Sequence, residues 1–338
     1  MTHSIHPSGV HGPLGQPHSE FFLCDIFAAP PKDDLASMEH PLFSLATRPD
    51  LSILRYAHNG AAIEITPSVK GRATIHDKDI LIYCTSQLMA AINAGRTIAR
   101  TLHLTAHDLL VATNRETSGD AYARLREAFE RLAGTRITTN LVQGAHEVTR
   151  GFGLIEDWEI VRRTRGGRMV QVRVTLSEWL FQAVLAKSVL TLNRAYFTLR
   201  RPLERRLYEL ARKHCGRQAE WRISLEVLQK KAGSASPRRV FRAMLRDIIA
   251  QGHLPDYDMA LEAGDMLHVT PQASMIEAGP ELGPLAAATH EAARARMPGG
   301  DVYALEAEWR GVWARSGRPK LRSPDKAFLG WLAKRAGE

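Results

Sequence analysis

The sequence predicts an α+β fold, mostly helical, built as two tandem units of one plan. Three observations predict it. Apolar residues recur at helical spacing in well-separated stretches, and short alternating runs follow them. The order of elements within residues 38–190 then returns, in shorter form, within residues 191–270.

Length and composition agree with this organisation. The chain has 338 residues, enough for two domains at roughly 150 residues each. It is 44% hydrophobic and 24% charged, so a core can be built. No apolar run reaches the ~18 residues of a membrane span. Met1 to His18 is rich in His, Pro, Gly and Ser and has no apolar centre, so it does not read as a secretory signal. Cys24, Cys84 and Cys215 lie far apart, which argues against a disulfide framework or a cysteine zinc site and for a reducing cytoplasm.

Residues 1–37 read as a flexible arm carrying one apolar island, Phe21 to Phe27, able to dock on the protein's own body or on a partner. In residues 38–190, Asp77 to Ala94 has helical spacing and Gly95 ends it. Arg100 to Leu104 is a short strand. Thr105 to Asp108 resembles a capping box and opens a short helix. The polar turn Asn114–Gly119 precedes a helix from Asp120 to Ala133, whose Tyr122, Leu125, Phe129 and Leu132 form one apolar stripe. Thr135 to Val142 is extended, and Glu147 to Arg163 reads as one longer extended stretch. Gly166-Gly167 signals a hairpin, returning through Val170, Val172 and Val174. Ser177 caps a further helix.

The second unit, residues 191–270, has a helix from Pro202 to His214, a strand at Trp221–Ile223 and a helix from Leu225 capped by Ser224. After the turn at Gly233–Ser236, Ser236-Pro237 reads as an N-cap with proline at the first helical position, and the helix runs to Ala250. Tyr257–Leu261 and Met266–Thr270 close it as a hairpin. Helix, strand, helix, turn, helix, hairpin is the order of a winged helix, predicted here twice. Residues 271–300 read as a linker, and residues 301–338 as a helical tail.

Charge is concentrated. Arg194 to Ala250 holds 15 Lys/Arg and 5 Asp/Glu, a net +10 against +9 for the whole chain. Such a segment suits a polyanion, nucleic acid first. On the last helix of the second unit, Arg238, Arg239, Arg242 and Arg246 share one face, opposite Val240, Phe241, Met244, Leu245 and Ile248. Arginine forks can bond guanine edges or hold phosphate. Lys230, Lys231, Ser234 and Ser236 stand just before it, where phosphate contacts fall in helix-turn-helix proteins. A second basic element is the first hairpin's tip, Arg162, Arg163, Arg165 and Arg168. The competing explanation for both is a solvated charged face. The second hairpin carries Glu262 and Asp265 at its tip, against close phosphate contact. The face Asp120, Arg124, Glu127, Arg131 is mixed and suits a protein contact equally. Asp77, Asp79 and Asp108 read as helix-start residues.

No phosphate-binding loop, dinucleotide fingerprint or nucleophile elbow is present. His103 to His107 has zincin spacing without the glutamate. No two of the 14 histidines stand at i and i+2, which argues against a tyrosine nickase. The chain reads as a non-enzyme with no cofactor and no metal.

The stretches Glu64–Gly71, Asp77–Tyr83, Leu104–Asn114, Thr149–Ile155 and Pro202–Gly216 resemble RepA-type plasmid replication initiators, over about residues 38 to 270. The resemblance implies two winged helices that bind repeated sites (iterons) on double-stranded DNA at an origin. It also implies help in opening an AT-rich stretch, recruitment of the host initiator and helicase, and autorepression as a dimer in monomer–dimer balance. The expected setting is the bacterial cytoplasm, on a plasmid. A winged-helix transcriptional repressor is the alternative.

Overall fold

The computed structural model describes residues 30–58, 61–143, 146–162, 169–272, 282–297, 302–315 and 321–336. The chain begins with strand β1 (Lys32–Asp34) and helix α1 (Leu35–Glu39). Strands β2 (Leu54–His58) and β3 (Ala61–Thr66) follow, then helix α2 (Lys78–Asn93), β4 (Thr101–Thr105), α3 (Ala106–Ala112) and α4 (Gly119–Gly134). Strands β5 (Arg136–Gln143), β6 (His146–Gly153), β7 (Ile155–Arg162) and β8 (Met169–Leu176) lead to α5 (Glu178–Leu185) and β9 (Val189–Thr191). A 3-10 turn over Arg194–Thr198 introduces the second unit. That unit comprises α6 (Pro202–His214), β10 (Trp221–Ser224), α7 (Leu225–Ala232), α8 (Arg238–Gln251), β11 (Tyr257–Glu262) and β12 (Met266–Pro271).

The two units share a strand pattern as well as an element order. The strand between the first two helices pairs antiparallel with the far strand of the hairpin, giving orders β4-β8-β7 and β10-β12-β11. Local chemistry starts the helices where the sequence places them. The side chains of Thr105, Ser118, Ser177 and Ser224 each accept a backbone N–H three residues on. Leu125, Phe129 and Leu132 of α4 are fully buried with Val172 and Val174 of β8, and Trp158 stacks on Phe129.

Four sequence expectations need correction. The arm does not extend to residue 37: β1 pairs with β9, and Asp33, Asp34 and Ser37 are buried. The stretch Glu147 to Arg163 is two strands in different sheets, separated at the buried Leu154. Its first half completes an unforeseen four-stranded sheet, order β2-β3-β5-β6. The linker contains a helix, α9 (Ala287–Arg296), which packs with α10 (Val302–Arg315) and α11 (Pro324–Ala336) around Leu285, Ala293, Trp309, Phe328 and Leu332. Its alanines read as spacer by composition but allow close helix approach. Finally, α8 begins at Arg238 with Pro237, not Ser236, at its N-cap. The apolar island Phe21–Phe27 lies outside the described residues.

The units meet across buried charge. Lys78 is fully buried, its Nζ 2.6 Å from Asp33 and 2.9 Å from Glu209 of α6. Asp79 pairs with Arg115 at 3.0 Å and with Arg205 of α6 at 2.5 Å. Arg206 pairs with Glu209 at 3.0 Å and donates to the carbonyls of Ser37, Met38 and Glu39 in α1 and of Lys231 in α7. Burial opposes the Lys78 charge, but the two carboxylates outweigh it and raise the pKa above its ordinary value. Burial also raises Asp33, which shares that one ammonium with Glu209. A proton taken up there goes to Asp33. Met38 and Ile82 lie beside the charges within the second unit's core. Full burial of such side chains stabilises by about 1.5–3 kcal/mol each. Buried ion pairs contribute little net stability but make loss of one partner costly.

Lys78→Met, which leaves two buried carboxylates short of a cation, is expected to destabilise the protein by about 3–5 kcal/mol in denaturant unfolding. Two histidines should also lower stability in acid. Burial first, then nearby cations, lowers His40 and His76 to about 4. An unfolded histidine titrates near 6.5. Between those values the unfolded chain binds more protons at these two sites, so their contribution falls as pH drops from about 6.5 to 4, against the opposite contribution of Asp33, raised to about 8. Replacing both histidines by asparagine should remove that loss, raising stability at pH 4 relative to pH 6.5.

Candidate nucleic-acid interface

The turn between α7 and α8 is tightly specified. Gly233 ends α7 at φ +70°, where side chains are disfavoured, and a Cβ there would come within 2.6 Å of Pro41 Cβ. Gln229 Nε2 donates to the Ser236 carbonyl at 2.6 Å. Ser234 Oγ accepts from the Ser236 amide at 3.4 Å. Both serines thus shape the turn. Pro237 then starts α8, whose Phe241, Leu245 and Ile248 are buried in the second core. Val240, placed by the sequence on the buried arc, is 41% exposed. It lies at the margin of that arc, where solvent begins.

The sequence-predicted cations divide into three groups. Arg239 and Arg246 are exposed on α8 and form no ion pair among the described residues. Arg238, Lys230 and Arg242 are at the surface but engaged. Glu226 lies 3.0 Å from Lys230 and 3.7 Å from Arg238, and these two cations lower its carboxyl pKa. Asp265 grips Arg242 as a fork, with Nε 3.0 Å from Oδ1 and Nη2 on Oδ2. Lys231 is the correction. It is buried and bound to Glu39, so it is not placed for a phosphate. Glu39 also meets Lys213 at 3.0 Å and His214 Nε2 at 3.2 Å. His214 first, with Lys231 and Lys213, holds its carboxyl well below the usual range despite burial.

The basic excess of Arg194 to Ala250 is therefore only partly a surface property. Arg205, Arg206 and Lys231 are buried. Arg212 donates to the Thr191 carbonyl at 2.6 Å, and Lys213 to the Leu35 carbonyl at 3.0 Å. Those charges hold the two units and β1–α1 together. The sequence signal for Glu226 was available, since it precedes Lys230 by four residues on one helix. Nothing local in the sequence joins Arg242 to Asp265 or Lys231 to Glu39.

The first unit contributes less to this surface. Arg162 is exposed at the end of β7, while Arg163, Arg165 and Arg168 lie outside the described residues. On α4, Arg131 turns inward and pairs with Asp77 at 2.7 and 2.8 Å, so the mixed face Asp120, Arg124, Glu127, Arg131 is smaller than its spacing implies. Asp77 and Asp79 are thus ion-pair partners of long sequence separation, beyond any role at a helix start.

Among the described residues, no group of three or more His, Cys, Asp or Glu is arranged to hold a metal ion. No described helix is long and apolar enough to cross a membrane.

Residues 32–259 match the family model described as "Replication initiator protein A". The chain is 37% identical over 244 residues to a protein of Wigglesworthia glossinidia brevipalpis described as "Putative replication protein", covering 71% of this chain and 88% of that one. Its fold is similar to a crystal structure of domains 2 and 3 of RctB, with a TM-score of 0.52 at 15% identity, over 67% of this chain and 92% of that one. The matched region contains β1–α1, the first unit and the second unit through all of α8, and it ends within β11. The chain belongs to the replication initiator protein A family.

Proposed function

We propose that this replication initiator reads a repeated duplex sequence through α8 of its second unit, both units acting as winged helices. The observation that carries the reading is a helix started by Pro237 behind a rigid turn. It buries one face and offers Arg239 and Arg246 unpaired on the other, with Arg242 between them. A helix so presented fits the major groove, where arginine can fork onto guanine. Lys230, Arg238 and the basic hairpin around Arg162 supply phosphate contacts. The wider reading follows from the family. The protein binds iterons at a plasmid origin, assists opening of an AT-rich stretch and recruits the host initiator and helicase. It represses its own gene as a dimer, without enzymatic activity, in the bacterial cytoplasm.

The test is retention of sheared DNA from the protein's own host at about 0.15 M salt, followed by sequencing of what is held. Clustered direct repeats beside an AT-rich stretch are expected. A single inverted repeat at a promoter would make the protein a repressor. No enrichment would remove DNA reading from α8. On the retained duplex, Arg239→Ala and Arg246→Ala should each cost about 1–3 kcal/mol, with a smaller loss on scrambled duplex. Equal losses on both would reduce these arginines to phosphate contacts.

A further inference from the structure

We propose that Asp265 is a specificity-determining residue of the DNA surface: it orients Arg242 toward a base edge and denies it to phosphate. This rests on the reading of α8 given above. Of the four guanidiniums of the helix, Arg238 and Arg242 meet carboxylates that arrive from outside it, while Arg239 and Arg246 pair with none among the described residues. Glu226 comes from α7 and Asp265 from the β11–β12 tip, and the first turn of α8 has no acidic residue of its own.

The geometry of the Arg242 pair decides its role. Asp265 takes Nε and Nη2, one edge of the guanidinium. An arginine has five N–H donors, so the opposite edge, built on Nη1 and the second Nη2 proton, stays available. That edge is suited to O6 and N7 of guanine, which carry no net charge and do not compete with the carboxylate. A phosphate meets a different situation. It would have to displace a bidentate, charge-assisted pair or sit beside the carboxylate against repulsion.

Asp265 is built to hold its place. It adopts φ +57°, and its carbonyl accepts the Leu225 amide at 2.8 Å, tying the hairpin tip to the start of α7. A cleft of about 510 Å³ separates the tip from Arg246, Ile249 and Ala250 of α8. Glu262 borders the same cleft, but it is occupied by His268 at 3.3 Å and Arg222 at 3.9 Å. The acidic tip that by sequence argued against phosphate contact is therefore a part of the reading surface.

The experiment compares the full-length protein with Asp265→Asn on two duplexes, the one selected from host DNA and a scrambled version, across a salt series. Asparagine tolerates positive φ and keeps the backbone bond to Leu225. The variant should bind the selected duplex several-fold more weakly and the scrambled one more tightly, lowering the ratio by about tenfold. Its salt slope on scrambled DNA should steepen by about one released counterion. Glu226→Gln, which frees Lys230 and Arg238 without touching a base-reading fork, should tighten both duplexes alike. An unchanged ratio in Asp265→Asn overturns the proposal, as does equal weakening on both duplexes. Arg246→Ala separates the two levels. If it weakens selected binding while Asp265→Asn leaves the ratio unchanged, only the role of Asp265 fails. If it affects neither duplex, the reading of α8 fails with it.

Discussion

The two units are arranged around Lys78 and Asp79. These adjacent residues open α2 and carry opposite charges into the buried junction between the units. Lys78 meets Asp33 and Glu209, and Asp79 meets Arg115 and Arg205. Neither charge could remain there alone, because an unpaired buried ion costs several kcal/mol. The partners come from β1, from the turn after α3 and from α6, so three distant segments must assemble before α2 is electrostatically satisfied. Apolar contact supplies the net stabilisation through Met38 and Ile82, and the ion network selects one arrangement of the two units.

The network continues to the turn between α7 and α8. Arg206 is fixed beneath it by Glu209, and its guanidinium binds carbonyls at the end of α1 and the Lys231 carbonyl near the end of α7. Glu39 holds the Lys231 side chain from the same side. Pro41 then closes against Gly233, at the turn. The orientation of α8 is thereby referred to residues 37–41, which belong to the first unit and lie far from it in sequence.

This division explains what could be read from the sequence. Helices were legible because their signals are local. Ser118 and Ser224 announce helix starts within four residues, and Leu125, Phe129 and Leu132 share a face by spacing alone. The sheet β2-β3-β5-β6 was not legible, since β3 and β5 pair across some seventy residues and β2 has no marked alternation. Glu147 to Arg163 looked continuous because an extended chain carries no mark of which sheet it joins. Among site residues, Arg239 and Arg246 were readable as an exposed basic face. Lys231 was not, because its partner Glu39 stands far away in sequence and only the fold brings them together.

A count of basic residues therefore measures two different things. In Arg194 to Ala250, one set of cations is turned inward, where each needs a carboxylate or carbonyl and none is offered to a ligand. Others lie at the surface, those exposed on α7 and α8 among them, where solvent screens every pair and partners can exchange. Arg242 belongs to the second set but shares a property with the first: a carboxylate fixed by backbone geometry rather than by a flexible side chain alone. A freely rotating cation gains as much from any phosphate as from the right base. Discrimination requires that some guanidinium be costly to divert, and in the proposed reading a partner held at the hairpin tip makes it so. The same physics that locks the junction by buried pairing thus operates, weakened by solvent, at the surface proposed to read DNA.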